Sequence, residues 1–180
     1  MNPATILDFW YSAPINQHWF NSTVEIDDTI RQRFEGLWQQ AKNHELDTWQ
    51  QTAEGCLALC IILDQFPLNM FRGDRKAYST EQQAVQVTKY AVERGFDKQL
   101  ANERVAFLYL PLMHSENLAD QDLSVQLFKA VNLESNAQFA LHHQQIIKRF
   151  GRFPHRNAIL GRVSTPEEIA YLNSKEAFKG

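Results

Sequence analysis

The chain has 180 residues, a net charge of -3 at neutral pH and 44% hydrophobic residues, which are the proportions of an ordinary globular protein. A domain of this size buries roughly two-thirds of its unfolded surface. The sequence therefore predicts one domain over residues 1–180, with a core that needs no disulfides. Charged residues make up 22% of the chain and no low-complexity run occurs, which excludes a disordered protein.

The cysteines and the apolar segments indicate where the protein works. Cys56 and Cys60 lie four residues apart in one apolar run, so on a helix they share a face, with backbones badly placed for a disulfide. The first ten residues contain Asp8 and have neither a basic cluster nor a cleavage-site pattern, and the longest uncharged apolar run is too short to span a bilayer. We therefore expect reduced cysteines, a cytoplasmic location and no membrane partner.

Hydrophobic periodicity predicts helices along the whole chain. The predicted helices cover about 3–13, 26–42, 48–66, 80–94, 98–109, 120–131 and 135–150, and a short last helix begins at Thr165. No segment alternates with period two and no hairpin dipeptide occurs. The sequence therefore predicts an all-α fold of about eight helices in antiparallel pairs, with the apolar segment 48–66 as the central helix.

Local signals set the expected ends of these helices. Ser22 with Glu25 and Ser79 with Gln82 are predicted capping boxes, and the run Thr165-Pro166-Glu167-Glu168 is a third. Gly95 and Gly151 are typical of left-handed C-caps. Pro67 is expected to stop one helix and Pro111 to break or kink another.

Charge is distributed unevenly along the chain. No acidic residue occurs between Glu134 and Glu167, and the basic residues of that segment contribute +5, which leaves -8 for the rest of the chain. They are Lys148, Arg149, Arg152, Arg156 and Arg162. One short basic patch in an acidic protein is not typical of nucleic-acid binding, so we do not expect nucleic acid as a partner.

Asp64 is the only charged residue between Glu54 and Arg72, and on a helix it falls on the buried face. An ionised carboxylate without a partner there would cost several kcal/mol. We therefore expect Asp64 either to be protonated or to pair with a cation, the candidates being Arg72, Arg149, Arg152 and Arg156. Such a pair either fixes the packing of the helix or forms part of a catalytic or ligand-binding site.

Histidines supply the other candidate groups. His114-Ser115-Glu116 follows an apolar stretch in a connection between helices, where it serves either as a ligand pair for a metal or as a hydrogen-bonded turn. Two ligands are few for a metal site, so we predict none. His143 shares the apolar stripe of its helix and should point inward, as a hydrogen-bonded core residue or as a ligand or base, whereas His142 should face solvent.

The segment from Arg149 to Asn157 differs from a solvated helix face. Gly151 and Pro154 interrupt it, and its arginines present planar forks suited to carboxylate or phosphate beside two phenylalanines. It is either an anion site or an internal network that neutralises Asp64 and Glu116. The candidate ligand-binding residues are Arg149, Arg152, His155, Arg156, Asn157 and Arg162, together with Asp64, Arg72 and His114.

Several motifs together resemble a known family. They are Leu63-Asp64-Gln65-Phe66-Pro67, Phe71-Arg72-Gly73, Pro111-Leu112 with His114-Ser115-Glu116, and Phe150-Gly151-Arg152-Phe153-Pro154-His155-Arg156-Asn157. Over nearly its whole length the chain resembles the bacterial domain-of-unknown-function family numbered 924. The resemblance implies an all-helical, tetratricopeptide-like fold and no established activity, substrate or cofactor. The sequence departs from the family pattern at Leu68, where arginine is expected, and at Glu81, where aspartate is expected.

Two functional hypotheses follow. In the first, the chain is a helical binding module whose arginines and histidines hold an anionic small molecule or a peptide carboxylate. In the second, it is a cofactor-free or metal-assisted enzyme in which His155 or His114 is a general acid/base beside Asp64 or Glu116. The common catalytic motifs are absent, and the sequence specifies neither a cofactor nor an oligomeric state.

Overall fold

The structure is a computed structural model that describes residues 1–178, and the regular structure of this part is helical throughout. The α-helices are α1 (Pro3–Trp10), α2 (Val24–Lys42), α3 (Ala53–Cys60), α4 (Phe66–Met70), α5 (Glu81–Glu93), α6 (Asn102–His114), α7 (Leu118–Ala130), α8 (Glu134–Phe150), α9 (Asn157–Leu160) and α10 (Pro166–Leu172). A π-helical turn, Ile61–Gln65, joins α3 to α4 without a break. The predicted all-α class is confirmed. The tetratricopeptide-like kinship and the single domain stay predictions.

Several helix ends are set by the local signals that the sequence contains. Thr165 and Glu168 form a complete capping box at the start of α10. Gly95 and Gly151 follow α5 and α8 with φ of 69° and 70°, a left-handed conformation that costs glycine little. These predicted ends are confirmed.

The capping box predicted for α2 is wrong. The hydroxyl of Thr23, not of Ser22, accepts the hydrogen bond from the Ile26 amide. Ser22 instead donates its hydroxyl to the carboxylate of Asp27 at 2.8 Å. The predicted partner Glu25 therefore lies one residue too close to the true cap to complete a box.

The capping box predicted for α5 is also wrong. The helix begins after Thr80, whose side chain makes no capping bond, and the Ser79 hydroxyl donates to the Lys76 carbonyl at 2.8 Å. The Thr80 hydroxyl is fully buried and donates instead to the Leu63 carbonyl at 2.6 Å. A tertiary contact thus replaces the cap.

Pro67 does not stop its helix as predicted, and Pro111 does not break the helix that contains it. Helical structure continues through Pro67 to Met70, because the π-helical turn precedes the proline and Thr80 supplies the hydrogen bond that Leu63 would otherwise receive from the missing Pro67 N–H. Helix α6 likewise runs through Pro111 to its end. The first of these helices keeps Asp64 in a buried turn, and the second carries His114 to its last position.

The core lies around α3 and the π-helical turn. Every residue of the run Cys56–Leu63 is buried, and α3 packs against α1, α5 and α6, which confirms it as part of the central helix. A second, smaller apolar cluster lies near the C-terminus. It consists of Ile146, Ile147, Phe153 and Tyr171.

The cysteines are unbridged, as predicted. Burial raises the pKa of the Cys56 thiol to about 11, and the Cys60 sulfur lies 3.4 Å from the hydroxyl oxygen of Thr88. Both thiols are therefore protonated, unreactive parts of the core. Within residues 1–178, no helix has both the length and the apolar character needed to cross a membrane.

Candidate functional site

The π-helical turn and the end of α6 bring Asp64 and His114 together. His114 Nδ1 lies 2.9 and 3.0 Å from the two carboxylate oxygens of Asp64, and Gln65 donates its side-chain N–H to the same carboxylate at 2.5 Å. The Asp64 side chain is 3% exposed and the His114 side chain 20%. The prediction of an arginine partner for Asp64 is therefore wrong, because α6 continues past Pro111 and delivers a histidine instead.

The surroundings of His114 favour its protonated form. Burial by itself lowers the pKa of His114, but the charge of Asp64 and the hydrogen bond to it outweigh burial and raise the pKa. Because Nδ1 faces Asp64, the other ring nitrogen, Nε2, is free of hydrogen-bond partners within residues 1–178, and the side chain that carries it is 20% exposed. An imidazole oriented by a carboxylate through one nitrogen and open at the other is suited to proton transfer.

Glu81 and Arg156 form a second pair next to the first. Arg156 Nη1 donates to Glu81 at 2.8 Å and Nη2 donates to the backbone carbonyl of His114 at 2.9 Å. The guanidinium lies 4.6 Å from the ring centres of both Tyr78 and Phe153, a geometry that permits cation–π attraction. The Arg156 Nε is buried with no hydrogen-bond partner in the described part of the chain.

The charge of Glu81 is unfavourable in this position. Burial raises the pKa of Glu81 to about 7, although the charges of Arg156 and His114 act to lower it. Glu81 therefore gives up its charge far more readily than an ordinary glutamate. Its ion pair with Arg156 is weakened to the same extent.

Glu116 and Arg162 form a bidentate ion pair. Arg162 Nη1 and Nη2 donate to the two oxygens of Glu116 at 2.7 and 2.9 Å, and the Phe153 amide donates to Glu116 at 2.7 Å. Burial acts to raise the pKa of Glu116, but these hydrogen bonds and the charge of Arg162 lower it. Arg162 Nε also donates to the side-chain oxygen of Asn157 at 2.9 Å.

The remaining two arginines also meet carboxylates. Arg152 donates from Nε and Nη2 to Glu168 at 2.7 and 2.8 Å, and these bonds lower the pKa of Glu168 to about 2. Arg149 pairs with Glu167 at the surface. All four arginines of the basic segment thus take part in ion pairs within the chain, and the carboxylates of three of these pairs lie outside the two predicted positions, Asp64 and Glu116.

His143 and His155 lie at the edge of this cluster. His143 is 5% exposed and its Nδ1 lies 2.8 Å from the Phe139 carbonyl, so it points inward as predicted, and burial lowers its pKa to about 3. Burial and the charge of Arg156 lower the pKa of His155 to about 4. Within residues 1–178, His155 makes no hydrogen bond to either carboxylate predicted beside it. It packs instead against the rings of Phe153 and Phe178.

Arg72 lies apart from these residues. It donates to the Asp27 carboxylate at 2.8 Å, which Asn69 and Ser22 also contact. The prediction of Arg72 as a partner of Asp64 is therefore wrong. Within the described residues, no group of three or more His, Cys, Asp or Glu side chains is arranged to hold a metal ion.

Sequence reasoning missed two residues of the cluster. In the sequence Glu81 stands out only as a departure from the family pattern, yet it is the carboxylate that faces Arg156. Tyr78 covers the same guanidinium and carries no signal in the sequence. Tyr78 precedes α5 and Glu81 begins it. Because Glu81 lies 75 residues before Arg156 in the sequence, no local pattern connects these residues to the arginine.

Comparisons with known proteins find one matching family model and a similar solved structure. The model of a family described as a bacterial protein of unknown function (DUF924) matches residues 6–176. A solved structure, described as a protein of unknown function, ATU0120, from Agrobacterium tumefaciens, is 39% identical, with a TM-score of 0.90 over 95% of this chain and 96% of that one. No curated protein matches the chain.

Proposed function

The chain belongs to the DUF924 family of bacterial proteins of unknown function, and from its own site we propose that it is an enzyme in which His114 exchanges a proton with a small anionic molecule. The observation that carries this proposal is the free Nε2 of a histidine whose Nδ1 is held by Asp64. Asp64 is the positioning residue, because its hydrogen bond fixes the ring and favours the protonated imidazole. His114 therefore begins the cycle as an acid.

Arg156 supports the binding of an anion beside His114. Its guanidinium donates a hydrogen bond to the His114 backbone and lies 4.6 Å from the centres of two aromatic rings, so it is held in place. Its resting partner Glu81 has a pKa raised to about 7 by burial. A ligand carboxylate or phosphate could displace the Glu81 side chain and pair with Arg156, because Glu81 competes only weakly for the guanidinium.

A binding module without chemistry is the second candidate. It is favoured by the concentration of three arginines, Arg152, Arg156 and Arg162, around Phe153 and α10. In that case the ligand binds at Arg156 and His114 contributes only a hydrogen bond. The two candidates differ in whether turnover depends on His114.

Binding is tested by nitrogen-15 NMR of the histidine rings during titration with inorganic phosphate and with succinate. We expect either anion to shift the His114 signals and Arg156→Lys to weaken the effect, because lysine cannot reproduce the planar fork. Arg149→Lys, at an exposed pair, is the matched control. His114 signals that do not respond to millimolar phosphate or succinate would contradict an anion site.

Turnover is tested on a panel of phosphate and carboxylate esters. We expect His114→Gln to lower the rate of any accepted substrate by about 10²- to 10⁴-fold, the usual contribution of a general acid or base. Asp64→Asn should lower the rate through the loss of ring orientation and should reduce the pKa of His114. An activity that survives His114→Gln excludes the proposed role of this residue.

A further inference from the structure

A cavity of about 300 Å³ lies beside α5. We propose that it binds an uncharged purine, either the free base or its nucleoside. The cavity opens between the end of α2, the turn Asp47–Gln51 and the first half of α5. Its volume is at the lower end of the range of about 300–1,000 Å³ that small-molecule sites occupy.

The cavity has an apolar floor. Leu59, Leu63 and Val87 line it and are between 2% and 4% exposed. They come from three consecutive parts of the core, namely α3, the π-helical turn and α5. An apolar floor of this kind is suited to the face of an aromatic heterocycle.

The rim of the cavity carries free amides. Gln50, Gln82 and Gln86 line it, and their side chains make no hydrogen bond to any other residue in 1–178. Each amide offers both a donor and an acceptor and no charge. Gln82 is available here because it does not serve the capping box that its spacing predicts.

Glutamine amides match the edge of a purine. A glutamine side chain donates to N7 and accepts from the amino group of adenine in a bidentate arrangement. Several neutral amides around an apolar floor therefore fit a planar ring with alternating donors and acceptors better than they fit an ion. Among residues 1–178, no lysine or arginine lines the cavity, so a phosphate group would find neither of these cations there.

His44 lies at the mouth of the cavity in an unusual conformation. It has a φ of 64°, a left-handed conformation that glycine or asparagine usually adopts after a helix. Its ring nitrogens lie 3.3 Å from Asp47 and 3.1 Å from the Gln83 amide. The ring thus ties the chain after α2 to the turn and to α5, and so closes one side of the cavity.

The proposal is tested by titrating the full chain, labelled with nitrogen-15, with adenine, adenosine and adenosine monophosphate. We expect adenine and adenosine to shift the side-chain amide signals of Gln82 and Gln86. Removing one of these amides, in Gln82→Ala or Gln86→Ala, should weaken binding about 5- to 10-fold, the usual effect of one lost hydrogen bond. Both positions are exposed on a helix, where alanine is well tolerated.

Gln32→Ala is the matched control, because Gln32 is exposed on α2 and does not line the cavity. It should leave the affinity for adenosine unchanged. Three results would overturn the proposal. The first is no binding of adenine or adenosine, and the second is an affinity in both Gln82→Ala and Gln86→Ala that equals that of the natural chain. The third is tighter binding of the monophosphate than of the nucleoside. The experiment is independent of His114 and of the proton transfer proposed for it.

Discussion

Burial determines the charge of single titratable residues in this protein, and His143 gives the simplest case. Its pKa is lowered to about 3 in the folded chain, whereas the unfolded chain takes up this proton near pH 6.5. Stability must therefore fall as the pH decreases from 6.5 towards 3. At pH 5 this residue should cost the protein about 2 kcal/mol relative to pH 7.

We predict that His143→Phe removes this part of the acid sensitivity. The phenylalanine keeps the ring contacts with Phe153 and Phe178 and has no proton to gain. Urea unfolding at pH 7 and pH 5 should show a smaller loss of stability for the variant than for the natural chain. An equal loss in both proteins would show that His143 is not the residue responsible.

Glu81 has the opposite pH dependence. Its pKa rises from 4.5 to about 7 on folding. Between these pH values the Glu81 carboxyl is ionised in the unfolded chain but still largely protonated in the folded one, so the free energy of unfolding decreases as the pH rises to 7. The total effect is about 3 kcal/mol. The stability of Glu81→Gln relative to the natural chain should therefore increase as the pH rises from 4.5 to 7. Thermal unfolding at pH 4.5, 5.5 and 7 measures the difference, and a gap that does not widen with pH would contradict the raised pKa.

The burial of Asp64 could be predicted from the sequence, but its partner could not. An isolated acid in an apolar helical stretch has to be buried and paired, which follows from the spacing of neighbouring residues. The identity of the partner depends on whether α6 ends at Pro111. A proline usually disrupts a helix, and only the packing of α6 against its neighbours shows that this one does not.

The Thr80 side chain connects three helical segments of the core. Its hydroxyl donates to the Leu63 carbonyl at 2.6 Å and accepts from Trp38 Nε1 at 3.1 Å, so it joins the π-helical turn, α2 and the start of α5. Thr80→Val keeps the shape but leaves two buried polar groups without a partner. We predict a loss of about 2–4 kcal/mol in the free energy of unfolding.

Ser79→Ala provides the control for that loss. The Ser79 hydroxyl is exposed and bonds only to a nearby carbonyl within the same turn, so we expect a change within about 0.5 kcal/mol. Denaturant unfolding of both variants gives the comparison. Similar values for Thr80→Val and Ser79→Ala would mean that the buried hydroxyl does not support the helix through Pro67.

Thr80 also shows why the sequence predicts some helix ends correctly and others wrongly. The capping box of Thr165 and Glu168 is correct because all of its partners lie within four residues. The box assigned to Ser79 and Gln82 fails because Thr80 between them is needed by Leu63, which is distant in sequence. Local patterns therefore predict an end only where no tertiary contact competes for the same side chain.

For the whole molecule, the ion pairs of the basic segment join the C-terminal part to the rest. The second apolar cluster is small, so residues 151–178 depend on polar contacts more than the core does. Arg162 with Glu116 and Arg156 with Glu81 reach back to the ends of α6 and α5. Two of the four arginines in this segment thus pair with acids from distant helices, and the other two pair with acids of α10.

Arg162→Ala should therefore open the C-terminal part without unfolding the core. It leaves Glu116 without its bidentate partner, and because both side chains are only about a quarter exposed, we expect a loss of about 2 kcal/mol, below the cost for a fully buried pair. Hydrogen exchange should increase in residues 151–178 and stay unchanged in α3. Arg149→Ala, at an exposed pair, should change neither, since such pairs contribute little. Uniformly faster exchange, including α3, would show that the segment unfolds together with the core.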